Sequence, residues 1–286
     1  MKRVLGFVLL TLACLFASGV ARAAELPVPK TVTAGSGFSV QTSGSGTQTL
    51  YIFGPSTAVK REVEVGGSVQ VEADEVKTAG MYTIVIGEDA GTFFVTAAKP
   101  SNVAFLARPS RVPAARPGAI SGSAFVFDQY NNLVLEPTKV DFRLSVEGGG
   151  TVDRSEMSKS GVAWTRVDSG RKAGAAQFVA AVGGSPVRRV VQQTAAEPCN
   201  IRMRARRAKD GNILVETDPI RDCSGNPVPD GTIVTFIAVD QKGRSTVDSR
   251  IKKGIAQATL PASQSAQLSV ASGVVVGNEI RWGGGQ

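Results

Sequence analysis

Asp222-Cys-Ser-Gly-Asn-Pro-Val-Pro-Asp-Gly-Thr-Ile-Val-Thr-Phe236 occurs in this chain in two versions. The other version begins ninety-four residues earlier and runs Asp128-Gln-Tyr-Asn-Asn-Leu-Val-Leu-Glu-Pro-Thr-Lys-Val-Asp-Phe142. Neither needs a gap, and six of the fifteen positions agree: Asp128/Asp222, Asn132/Asn226, Val134/Val228, Thr138/Thr232, Val140/Val234 and Phe142/Phe236. Repetition at about the length of one small domain marks the chain as an array. In both copies a turn of Asp with Asn, and in the later copy Gly, leads into an apolar run of period two. Asn, Asp and Gly tolerate the left-handed backbone that turns need. Val140, Phe142, Leu144 and Val146 alternate with polar residues, as do Val234, Phe236 and Ala238. That is the pattern of a half-buried strand.

The echo continues downstream. Thr151-Val-Asp153 is matched by Thr246-Val-Asp248, Gly161-Val-Ala163 by Gly254-Ile-Ala256, and Ala176-Gln-Phe178 by Ala266-Gln-Leu268. Taken together, the Asp-x-x-Gly-Asn-Pro-Val-Pro turn, the Val-x-Phe strand and the later Gly-Val/Ile-Ala resemble bacterial immunoglobulin-like repeats of the invasin/intimin type. The match is better over 199–286 and weaker over 101–196, where Leu133 and Leu135 replace the two prolines and Pro137 replaces Gly231. The resemblance implies a β-sandwich and a role as spacer, stalk or adhesive tip. Function carried over from a fold is analogy.

Residues 1–23 read as a cleaved secretory signal peptide. Lys2 and Arg3 precede an apolar stretch, and Ala21-Arg-Ala23 is an Ala-x-Ala cleavage site. A lipoprotein reading through Cys14 is disfavoured, because Thr11 stands where the lipid-attachment motif wants Leu. No later stretch is apolar enough to span a membrane. The expected location is a Gram-negative periplasm, the cell surface or the exterior. The remainder is too long for one immunoglobulin-like sandwich of about 100 residues and suits three. The expected fold is therefore all-β, with tandem immunoglobulin-like β-sandwiches at 24–99 (divergent), 100–196 and 197–286. In the first, Gly80-Met-Tyr82 is a candidate tyrosine corner, with an ordinary buried Tyr as the alternative. Three prolines between Arg108 and Pro117 mark an edge segment that switches or leaves its sheet.

Two cysteines follow the signal, Cys199 and Cys223. Export favours pairing. The expected strands place Cys199 at the start of one and Cys223 just past the end of its antiparallel neighbour, so the two ends adjoin. A disulfide is predicted.

The whole chain carries a formal net charge of +8. Its densest basic cluster is Arg202, Arg204, Arg206, Arg207 and Lys209. On a strand Arg202, Arg204 and Arg206 share one face, at about 7 Å per step. The plain reading is the solvated face of an edge strand, where positive charge discourages edge pairing. The functional reading is a track for an anionic polysaccharide. Nucleic acid is not expected, because export removes it and few aromatics interleave with the cluster.

Catalysis is not expected. The chain has no histidine, which removes the commonest general base and metal ligand. Gly148-Gly-Gly150 lacks the Lys-Ser/Thr of a phosphate loop. Asp218, Asp222 and Asp230 are close in sequence, yet all lie in turn contexts, so a glycosidase pair is disfavoured. Calcium at Asp128 or Asp222 is disfavoured too, since no Asp-x-Asp-x-Asp loop is present. No cofactor is expected. Trp164 and Trp282 read as strand or core residues, although an exposed Trp would favour carbohydrate. The function these features suggest is a non-catalytic structural or adhesive array binding a protein or polysaccharide of the envelope. The alternatives are an anionic-polysaccharide module and an accessory subunit of a secretion or appendage machine.

Overall fold

The computed structural model describes residues 25–283. The expected signal peptide over 1–23, with Cys14, lies outside the described residues. Apart from one short 3-10 helix, Ala73–Val76, every regular element among the described residues is a β-strand. The described residues form two compact units: 25–99 with 128–134, and 100–127 with 135–283.

The first unit holds one sandwich. Its larger sheet runs in the order Thr31–Thr33, Asp89–Thr96, Gly80–Ile86, Gly46–Gly54, Thr57–Val65. Facing it is the pair Phe38–Gln41 and Ser68–Val71. Leu50, Ile52, Tyr82, Ile84 and Phe93 fill the space between. Tyr130, from the 128–134 loop, packs against this core. Gly35 lies under its ring: a Cβ there would sit 2.1 Å from the Tyr130 hydroxyl, so only glycine fits. The 3-10 helix presents Glu75, nearly buried, to Arg61, with Nε to Oε1 at 2.8 Å and Nη2 to Oε2 at 3.2 Å. Two parallel N–H donors matched to one carboxylate make a stronger pair than a surface contact.

Tyr82 is not a tyrosine corner. Its ring is buried against Phe93 and under Gly54. Its hydroxyl has no hydrogen-bond partner among the described residues. The corner pattern needs a backbone acceptor at the hydroxyl, and the ring here goes deep into the core instead.

The second unit holds two sandwiches. In the first of these, a three-stranded sheet (Val162–Val167, Ile120–Asp128, Pro100–Arg108) faces a five-stranded one. The larger sheet has the order Thr151–Met157, Lys139–Val146, Gly174–Val182, Ser185–Thr194, Arg111–Pro113. The proline segment does switch sheets: Pro100–Arg108 belongs to one and Arg111–Pro113 to the other, with a cis peptide at Arg108–Pro109 between them. Arg111–Pro113 joins its sheet in parallel with Gln192–Thr194, as Thr31–Thr33 joins Phe94–Thr96 in the first unit.

The last sandwich pairs Met203–Arg207, Ile213–Thr217 and Gln257–Leu260 in one sheet. The other holds Gly243–Arg250, Ile233–Asp240, Ala266–Ser272 and Val275–Trp282. Phe142 and Phe236, matched in the repeat, are both essentially inaccessible. Each contributes about 1.5–3 kcal/mol by leaving water. The strand expected to start at Cys199 is broken. Pro198–Cys199 pairs with Arg221–Asp222, while Met203–Arg207 pairs with Ile213–Thr217. Asn200 between them takes a left-handed φ of 54°, which ends one strand and re-aims the next.

Candidate functional site: the repeated Asp–Asn turn and the arginine strand

The repeated Asp and Asn are both buried, at 4% exposure for each of Asp222 and Asn226. Asp222 Oδ1 accepts from the amides of Ser224 and Asn226, each at 2.9 Å. Its Oδ2 accepts from Asn226 Nδ2 and from the Ala196 amide, again at 2.9 Å each. Asn226 in turn accepts from the Ala173 amide at 2.8 Å and donates to the Arg171 carbonyl at 2.7 Å. Half of the six bonds therefore leave the turn. One ties it to the segment that follows Ser185–Thr194, and two tie it to the loop before Gly174–Val182 in the preceding sandwich.

Asp128 and Asn132 repeat this pattern inside the first unit. Asp128 accepts from Tyr130, Asn132 and Ala98, and Asn132 joins the Ala79 amide and the Lys77 carbonyl. Burial would push each Asp up, but the hydrogen bonds from Asn and backbone amides outweigh it. Both carboxyls are held below the ordinary aspartate value. A carboxylate saturated by N–H donors in this way is a structural acceptor. Asp230 accepts from the Lys253 and Gly254 amides, and Asp218 pairs with Arg204 at 3.0 Å. These three aspartates thus serve separate turns and strands.

The partners of the turn lie in two further short repeats of the sequence. Thr96-Ala-Ala-Lys-Pro100 is repeated as Thr194-Ala-Ala-Glu-Pro198, and the second Ala of each gives its amide to the Asp. Ala79-Gly80 is repeated as Ala173-Gly174, and each Ala gives its amide to the Asn. The two glycines share a φ of 143° and 145°, a conformation open to Gly alone at little strain.

Cys199 and Cys223 form a disulfide, with Cα atoms 5.0 Å apart. It links the strands Pro198–Cys199 and Arg221–Asp222 directly beside the Asp222 turn. The earlier copy has Ser101 and Gln129 at the corresponding places and makes the same turn without a bridge.

Arg202, Arg204 and Arg206 are exposed and alternate with buried Met203 and half-buried Ala205. Arg202 precedes the strand. Arg204 is paired with Asp218 and stands opposite Glu216 in register, so the stripe is partly neutralised. Arg207 lies over the Trp282 ring at 5.8 Å, and Lys209 is exposed in the following turn. Trp282 is half-buried and donates from Nε1 to the Ser263 carbonyl. Trp164, by contrast, is 56% exposed.

No protein-family model matches the sequence, and comparison with curated proteins finds no match. Solved structures do resemble it. The FdeC adhesin of Escherichia coli is 17% identical with a TM-score of 0.61, covering 92% of this chain and 96% of that one. InvD of Yersinia pseudotuberculosis is 12% identical at a TM-score of 0.44, over 91% and 95%. Invasin, a bacterial integrin-binding protein, is 12% identical at 0.45, over 89% of this chain and 58% of that one. Of these, FdeC shares the fold of this chain over nearly the whole length of both. No helix among the described residues is long and apolar enough to cross a membrane.

Proposed function

We propose that this protein is an exported, non-catalytic adhesive spacer of the bacterial envelope, made of modules at 24–99, 100–196 and 197–286 behind a cleaved signal peptide at 1–23. The observation that supports this most is the buried Asp222–Asn226 turn, with two bonds into a loop of the preceding sandwich and one to the connecting segment. A spacer has to hold one module against the next under load. Paired buried polar groups suit that, because breaking any one strands its partner at a cost of about 1–3 kcal/mol. The description of FdeC as an adhesin adds support by analogy of fold.

The test is fractionation and in-cell crosslinking of the tagged protein in its native host. Cleavage after Ala23 is expected, with the chain in an envelope or exterior fraction and crosslinked to envelope protein or polysaccharide. A cytosolic chain with an intact leader, or turnover of a substrate by the purified protein, overturns the reading.

A further inference from the structure

The outer face of the three-stranded sheet in the second unit carries a combination that the spacer role does not use. Trp164 is 56% exposed, Leu106 46% and Phe125 39%. They are not stray surface residues. Val162, Trp164 and Arg166 form the solvent side of Val162–Val167, whose other side, Ala163, Thr165 and Val167, is buried. Ser121, Ser123 and Phe125 form the same side of the neighbouring strand. Register places Ser123 opposite Trp164, and Phe125 opposite Val162, diagonal to the indole. The residue opposite the ring is thus a short serine, and more than half of Trp164 is exposed. Clustered exposed apolar residues with a polar rim mark a contact surface.

One end of this face is cationic. Arg166 stands opposite Ser121, and Ser121 Oγ donates to the Arg108 carbonyl at 3.3 Å, which puts Arg108 on the other side of the same serine. Arg108, Arg166, Ser121, Ser110, Pro109 and Gly118 line an open hollow in the surface. Both arginines are exposed, and neither enters an ion pair among the described residues. The nearest carboxylate in sequence, Asp168, accepts from the Gly118 amide at 2.6 Å. This differs from the Arg204 stripe, where a carboxylate already holds the central cation.

A flat exposed indole takes the apolar face of a pyranose ring. A guanidinium fork takes a planar carboxylate through paired N–H donors, and serine hydroxyls complement sugar hydroxyls. Trp164 and Arg166 are two residues apart on one face, about 7 Å, which is within one or two sugar units. We infer that this face binds an acidic oligosaccharide, with a pyranose stacked on Trp164 and a hexuronate carboxylate held by Arg166 and Arg108. The inference rests on the adhesive reading and names the chemistry of its partner.

The experiment titrates the mature chain with oligogalacturonate, a neutral oligogalactose of the same length, and heparin oligosaccharide. Binding is followed calorimetrically and by tryptophan fluorescence. Oligogalacturonate is expected to bind and oligogalactose not to. Trp164→Ala and the pair Arg108→Gln/Arg166→Gln should each weaken binding at least tenfold. Trp164→Tyr should restore most of it, which a merely structural residue would not show. Arg204→Gln should leave it unchanged, and Trp282→Phe should leave the fluorescence response in place. Unchanged thermal melts of these surface variants establish that they fold. Absence of oligogalacturonate binding, preference for heparin alone, or binding lost through Arg204→Gln but not through Trp164→Ala overturns the inference. Adherence of the same variants to envelope material is scored in parallel. Adherence that persists in Trp164→Ala removes this site and leaves the adhesive function standing.

Discussion

The Asn226 side chain accepts a hydrogen bond from the Ala173 amide, fifty-three residues before it, at 2.8 Å. That bond links two sandwiches through a residue that reads in sequence as an ordinary turn former. Asn226→Ala strands the Ala173 amide and the Arg171 carbonyl together. The expected loss is about 1–3 kcal/mol, read as a lower urea midpoint. Faster proteolysis in the 195–198 segment should accompany it. Wild-type protease resistance in the variant would show that the turn does not hold the joint.

Acid should loosen the same joint. The Asp222 carboxyl titrates below the ordinary aspartate value because its charged form is hydrogen-bonded in the folded chain. A depressed folded pKa gives stability that is complete above the unfolded value of about 3.9. That stability is lost as pH falls through the lower folded value. Urea midpoints of the wild type should therefore drop between pH 5 and the acid limit, beyond the drop seen in Asp222→Asn. Identical slopes in the two proteins would assign the acid sensitivity to other carboxylates.

The disulfide should contribute stability without creating the turn. Closing a loop with a sequence separation of 24 residues is worth roughly 3 kcal/mol. Cys199→Ser with Cys223→Ser should melt lower than wild type and lose any response to reductant. The proteolytic resistance of the 195–198 segment should persist, since Asp128 and Asn132 keep the same bonds with no bridge beside them.

Tyr82→Phe removes a hydroxyl that is buried with no partner. The variant should be as stable as wild type or more so, by up to about 1 kcal/mol. A corner hydroxyl would give the opposite sign. Gly54→Ala should be strongly destabilising, because its Cβ would fall 2.3 Å from the Tyr82 ring.

The sequence disclosed the strands whose one side is buried. Val140 to Val146 and Val234 to Ala238 alternate, and they became the core strands Lys139–Val146 and Ile233–Asp240. Hidden from it were the strands with little to bury. Thr151–Met157 and Gly243–Arg250 are edge strands of mostly exposed polar residues, held by backbone pairing and by contacts such as Arg143 to Asp153 and Thr235 to Asp248. Period-two apolarity cannot reveal them. The role of Asp222 and Asn226 escaped for another reason. Turn chemistry explains both residue types locally, so nothing in the turn itself points to a partner fifty residues away. Only the repeats outside the turn carry that information, Ala-Gly for the Asn and Thr-Ala-Ala-x-Pro for the Asp.

Both Asn residues reach back by the same intervals, fifty-three residues to an amide and fifty-five to a carbonyl. The Asn half of the fitting is thus written in offsets, while the Asp partners lie thirty and twenty-six residues back, wherever the Thr-Ala-Ala falls. Unequal crossing-over between the two gene segments would add or delete a whole repeat and still deliver each Asn to an Ala-Gly and each Asp to a Thr-Ala-Ala. Chains with more or fewer repeats can arise in one step, each new turn arriving with the partners it needs.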